Sequence, residues 1–273
     1  MVARRKKAST ATTKTVFSTA GKVVCLFGES PLVEEYAIRC LNKGFDVHVR
    51  FNGAARPKRS SRGTQILLPK GARSVAKPSP STYLALELTN TSIDEKKKNL
   101  QDLARALPPK CAIISSSVTV TVTEQSGWIA SPNRLIGTGA LPSLLEGSLL
   151  EFAASPLSDD TTIAAAKEFA GALEKESAFV QDSVGLVLPR ILCMLANEAC
   201  FAVMEGVASG SDIDTAMKLG TNYPNGPIEW TDKIGLRQVY AVVRAMADSF
   251  GEDRYRVAPL LHRASLLNSF PSR

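Results

Sequence analysis

A chain of 273 residues with 44% apolar and 22% charged content can bury the core of one large domain or two modest ones. Its net charge of +7 is uneven: residues 1–81 carry 16 Lys/Arg against 4 Asp/Glu, and residues 82–273 carry 17 against 22. No apolar run reaches the ~18 residues of a membrane span, and two histidines with five cysteines in no CxxC spacing argue against a Cys/His metal centre.

Residues 1–21 are Arg/Lys/Ser/Thr-rich, with no acid before Glu29 and few large apolar side chains. They read as a basic, disordered tail; a mitochondrial targeting peptide is the alternative. The cysteines (Cys25, Cys40, Cys111, Cys193, Cys200) sit mostly in apolar runs and read as reduced and buried, as in a cytoplasmic or, alternatively, a mitochondrial matrix protein.

KVVCLFG (22–28) is a buried strand. PLVEEYAIRCLNK (31–43) has helical spacing, with Pro31 suited to a first turn and Gly44 to a stop. DVHVRF (46–51) is the next strand, completing a strand–helix–strand unit. Residues 53–82 are basic and Gly/Pro/Ser-rich around a short QILLP strand candidate, and read as a loop. Strands follow at 83–89, 111–115, 134–139 and 148–154, with helices at 94–107 and 161–176, and SAFVQDS as a short strand. From Gly185 only helices are predicted: 186–208, a short one opened by a capping box at Ser211-x-x-Asp214 and closed at Gly220, a turn plus short helix in PNGPIEWTDKIG, and LRQVYAVVRAMADSFG. The predicted fold is therefore α/β: a Rossmann-like doubly wound sheet at 22–183, then an all-α domain at 184–273.

GVASGSDIDTAMKLGTNYPNGPIEWTDKIGL (206–236) and RYRVAPLL (254–261) resemble the C-terminal domain of the 3-hydroxyacyl-CoA dehydrogenase family, through Asp212, Asp214, Met217, Lys218, Gly220, Pro224, Gly226, Pro227, Glu229, Asp232 and Gly235. The likeness continues upstream through NRLIG, SLLEF and QDSVGLVLPRIL, nearly without gaps over 94–236. It implies hydride transfer between NAD and the 3-hydroxyl of an acyl-CoA, with a histidine base oriented by a glutamate and helped by a serine and an asparagine. It also implies that the helical domain forms a dimer interface.

In that register the histidine position falls on Gly139, the serine position on Val118 beside Thr119, and the asparagine position on Pro189; the glutamate is kept as Glu151. His48 and His262 offer no evident replacement. The phosphate-binding G-x-G-x-x-G reads Gly28-Glu29-Ser30-Pro31-Leu32-Val33, with Gly28 the one glycine kept as a cofactor-binding position. Phe51 stands where an acid would hold the adenosine ribose, and Arg50, Arg56, Lys58 and Arg59 suit a 2′-phosphate, so NAD and NADP both stay open.

The expected protein is a dehydrogenase-like member without catalysis, acting as a homodimer or heterodimer through 184–273 and with acyl-CoA as a candidate ligand. One alternative is an active NAD(P)-dependent 3-hydroxyacyl-CoA oxidoreductase with a rearranged site. Another is a nucleic-acid-associated protein using ARRKK (3–7) and RPKRSSR (56–62).

Overall fold

The computed structural model describes residues 18–53 and 68–270. The tail motif ARRKK, the segment RPKRSSR and with it Arg56, Lys58 and Arg59 lie outside the described residues.

The first strand, β1 (Val23–Gly28), is buried along its whole length, as befits a central parallel strand covered on both faces. It is followed by α1 (Leu32–Asn42) and β2 (Asp46–Phe51), then a two-residue strand β3 (Arg73–Ser74) and β4 (Thr82–Leu88). Next come α2 (Ile93–Ala106), β5 (Ala112–Ser116), a five-residue helix α3 (Val122–Ser126), β6 (Leu135–Thr138) and β7 (Leu149–Ala153). The half closes with α4 (Asp160–Ala172) and β8 (Glu176–Val180). These make one eight-stranded sheet in the order β3-β2-β1-β4-β5-β6-β7-β8. Its pairs are parallel except β6 with β7. The chain reverses direction of winding between β1 and β4, so the switch-point crevice opens beyond Gly28 and Leu88.

The second half is helical: α5 (Leu188–Met204), α6 (Gly210–Thr221), α7 (Pro227–Ile234), α8 (Leu236–Phe250) and α9 (Pro259–Leu267). A separate apolar core, including Cys193, Val239, Val242, Val243, Met246 and Leu261, holds α5, α8 and α9 together. None of the helices among the described residues is long and apolar enough to cross a membrane.

Several boundaries differ from the sequence expectation for identifiable reasons. The cap of α6 is Ser209, not Ser211: its hydroxyl accepts from Asp212 N at 3.2 Å. Asp214 instead reaches forward and accepts from Ile228 N (2.8 Å) and Glu229 N (3.1 Å), capping α7 from another helix. A Cβ on Gly226 would meet that carboxylate at 2.2 Å, which explains a glycine immediately before Pro227. The helix α4 stops at Ala172 because Glu174 turns into the left-handed region (φ +58°).

All five cysteines are free and buried. Burial pushes each thiol up, Cys25 and Cys200 to about 12 and Cys111 to about 11. A thiol reagent at pH 8 is expected to label none of them in the native protein and all five after unfolding; rapid labelling of native protein would contradict this burial.

Candidate active site

The four positions singled out by the resemblance lie at one end of the sheet. Val118 follows β5 and Gly139 follows β6, held side by side as Ser117 N donates to Thr138 O at 2.9 Å. Glu151 lies on β7, and Gly139 N donates to its carbonyl at 3.1 Å. Pro189 lies in the first turn of α5. A Cβ built on Gly139 would touch Glu151 Oε2 (3.3 Å), Pro189 Cγ (3.3 Å) and Leu186 Cδ1 (3.4 Å), so Gly139, Glu151 and Pro189 converge.

What converges is packing rather than an open reaction centre. The cavity beside Gly139, lined among others by Tyr36, Leu141, Leu150 and Leu188, holds only about 10 Å³. That is space for one water at most. Val118 is fully buried in the helical domain's core, and Gly185 N donates to its carbonyl. Thr119 donates its hydroxyl to Asn90 O at 3.2 Å.

Glu151 has acquired definite partners. Its carboxylate accepts from Val187 N (3.2 Å) and Leu188 N (2.8 Å), the unsatisfied donors at the start of α5. Pro189, next in line, has no N–H to satisfy and suits a first turn. The carboxylate thus closes a helix N-terminus, where a negative charge is favoured. The two histidines are elsewhere. His48, on β2, pairs in register with Arg73 at the sheet edge, and burial together with that arginine lowers its pKa. His262, on α9, stacks on Tyr240 with ring centroids 5.0 Å apart.

The dinucleotide expectation meets three obstacles at the end of β1. Gly28 (φ +153°) is required by the sheet itself, since a Cβ there would lie 2.5 Å from Leu88 O. The carboxylate of Glu29 projects into the switch-point crevice and is hydrogen-bonded there. Pro31 takes the N-cap position of α1 and offers no backbone donor to a phosphate. At the end of β2, Arg50 is not a free cation awaiting a 2′-phosphate: it pairs with Asp102 (2.9 Å), donates to Asn99 Oδ1 (2.8 Å) and stacks on Phe27. Phe51 supplies no carboxylate for a ribose, although a cavity of about 270 Å³ remains beside it, lined by Arg50, Asn52, Glu95, Lys98 and Asn99. These residues do not fit a bound NAD or NADP pyrophosphate.

Below the crevice lies a polar cluster that the sequence did not announce. Lys96 on α2 is fully buried and donates to Glu87 on β4, to Ser116 O (2.7 Å) and to Ser115 Oγ (3.4 Å). Asn99 Nδ2 adds bonds to Asn52 Oδ1 (2.8 Å) and Glu87 Oε1 (3.3 Å). A cleft of about 430 Å³ opens between the start of α2 and helices α8 and α9, lined by Thr91, Thr119, Arg237, Tyr240 and Arg244.

A doubly wound sheet with a helical domain packed over its switch point is a Rossmann-type architecture. The pattern of the 3-hydroxyacyl-CoA dehydrogenase C-terminal domain matches residues 185–272. The chain as a whole is similar to members of the 3-hydroxyacyl-CoA dehydrogenase family. A 3-hydroxybutyryl-CoA dehydrogenase of Bradyrhizobium diazoefficiens is 31% identical over 178 residues, which are 65% of this chain and 61% of that protein. The chain thus spans about three fifths of the length of the curated relatives it matches first. The crystal structure of (S)-3-hydroxybutyryl-CoA dehydrogenase PaaH1 from Ralstonia eutropha superposes with a TM-score of 0.71 at 23% identity, covering 92% of this chain and 99% of that one. FadB2 of M. tuberculosis superposes with a TM-score of 0.76 at 19% identity, covering 91% and 94%. At these identities the two structures speak for the fold.

Proposed function

We propose that this chain is a 3-hydroxyacyl-CoA dehydrogenase-like protein without dehydrogenase turnover, acting by association through residues 184–273. The observation that carries the reading is the convergence of Gly139 and Pro189 on Glu151. No histidine stands there to take a proton from a 3-hydroxyl, and the one acid kept, Glu151, is engaged at a helix N-terminus. The test is acetoacetyl-CoA with NADH and with NADPH: no oxidation of either nucleotide above the blank is expected, and measurable turnover would sink the reading.

Association is supported by an apolar groove of about 370 Å³ where α5, α7 and the loop before β7 meet, lined by Leu144, Leu188, Ile191, Leu195, Tyr223 and Trp230. Val187 and Ile191 are about half exposed beside it. Apolar side chains clustered in this way suit a second copy of the chain. Light scattering is expected to give a dimer mass for the wild type and a monomer mass for Ile191→Glu, with the fold retained by circular dichroism. A wild-type monomer would remove the dimer from the proposal.

The cleft lined by Arg237, Tyr240 and Arg244 favours a second reading, acyl-CoA binding without turnover, because two arginines lie at one opening, although Arg244 also pairs with Asp248 at 2.8 Å. A thermal shift with acetoacetyl-CoA but with neither NAD nor NADP would support it. A shift with a dinucleotide would instead support an active oxidoreductase, the activity named for the relatives.

A further inference from the structure

The carboxylate of Glu29 stands at the switch point, one residue beyond β1. Its Oε1 accepts from Asn90 N (2.8 Å) and from Gln238 Nε2 (2.6 Å). Its Oε2 accepts from Thr91 Oγ1 (2.5 Å) and Thr91 N (3.4 Å). Two successive backbone N–H groups, a hydroxyl and an amide converging on two oxygens form the donor set of an oxyanion site. In a doubly wound sheet this crevice is where an anionic ligand lies.

The donors come from separate parts of the fold. Asn90 and Thr91 follow β4, and Gln238 is on α8 of the helical domain. Asn90 Nδ2 extends the set by donating to Gln238 Oε1 (2.9 Å) and to Ala140 O (2.9 Å), the residue after Gly139. One carboxylate therefore joins the end of β1, the loop after β4 and α8. An ordinary surface glutamate has no such arrangement, since its charge is satisfied by water.

We propose that Glu29 is a built-in ligand: its carboxylate fills an anion site at the β1–β4 switch point and clasps the helical domain to the sheet. The site is thereby closed to a dinucleotide phosphate and open to a small anion once the carboxylate is removed. This rests on the reading of the chain as a protein without a working cofactor site, and deepens it.

The test uses the full chain with Glu29→Ala and Glu29→Gln. The alanine variant leaves the donors facing a gap, and a fall in Tm of about 4–8 °C is expected from the loss of charge-assisted bonds. Formate or inorganic phosphate at tens of millimolar is expected to restore most of that loss, with little effect on the wild type or on Glu29→Gln, whose amide still fills the space. Limited proteolysis should cut the Glu29→Ala variant faster between β8 and α5, with formate slowing the cut. An unchanged Tm, or a fall that neither anion restores in any dose, overturns the anion site while leaving the absence of turnover standing. If Glu29→Ala does not fold, a Tm for Glu29→Gln equal to that of the wild type overturns the proposal, and a fall with faster proteolysis supports it. Binding of NAD or NADP by the wild type overturns both readings together, which separates that failure from the others.

Discussion

Lys96→Met is expected to lower the free energy of unfolding by about 3–5 kcal/mol, the effect of leaving one member of a buried ion pair without its partner. Lys96 and Glu87 are both essentially inaccessible to solvent. Glu87 would keep Ser115 Oγ at 3.2 Å and Asn99 Nδ2 at 3.3 Å, too little to hold a full charge in the interior. The control is in the same run of sequence, since Lys97 and Lys98 are exposed and their methionine variants should change stability by no more than about 0.5 kcal/mol. Urea denaturation of the three single variants measures this directly. The double variant Lys96→Met, Glu87→Leu should be less destabilised than Lys96→Met alone, because no uncompensated charge remains. Equal effects at 96, 97 and 98 would contradict the burial of Lys96.

The KKK run also shows where sequence reading stops. Helical spacing locates α2, but it does not say which of three adjacent lysines turns inward, because the partner Glu87 is supplied by a strand formed earlier in the chain. The same holds for α3. Its segment reads as alternating Val and Thr, and no helix is predicted there. It is stabilised from sixty residues away, where Asp182 accepts from Val122 N (2.9 Å) and Thr123 N (2.8 Å). The local cap, Thr121 Oγ1 accepting from Glu124 N at 3.2 Å, is written in Thr121-x-x-Glu124 but is masked by the Val/Thr alternation, whereas the cap from Asp182 leaves no local signal. By contrast β1, α1, β2, α5 and α8 follow from periodicity and stop signals within their own residues. The two-residue β3 carries too few side chains to show a period at all. At the candidate site the register of the family resemblance brings Gly139, Glu151 and Pro189 together, and the structure has them in contact. What the register could not carry is that Glu151 binds the first turn of α5, or that Glu29 meets Gln238 over two hundred residues later.

Gly139→His is expected to destabilise the protein by about 1–3 kcal/mol through overpacking and to produce no turnover of acetoacetyl-CoA with NADH. The void beside Gly139 is about 10 Å³, and the first carbon added there already sits 3.3 Å from Glu151 and from Pro189. An imidazole can be placed only by displacing Leu186, Pro189 or the start of α5. Were it placed, Glu151 would have to leave Val187 N and Leu188 N to orient it, uncapping a seventeen-residue helix at the centre of the second core. Losing such a cap is worth about 1 kcal/mol by itself. Adding Pro189→Asn relieves part of the crowding and should recover part of the stability, still without turnover, because Glu29 continues to fill the switch point. Turnover by Gly139→His alone would mean that the nucleotide site works as it stands, and would refute the assignment of Glu29 as its occupant. The three changes Gly139→His, Pro189→Asn and Glu29→Gly therefore form a series in which stability should respond at each step, while the switch point opens to a small anion only at the last.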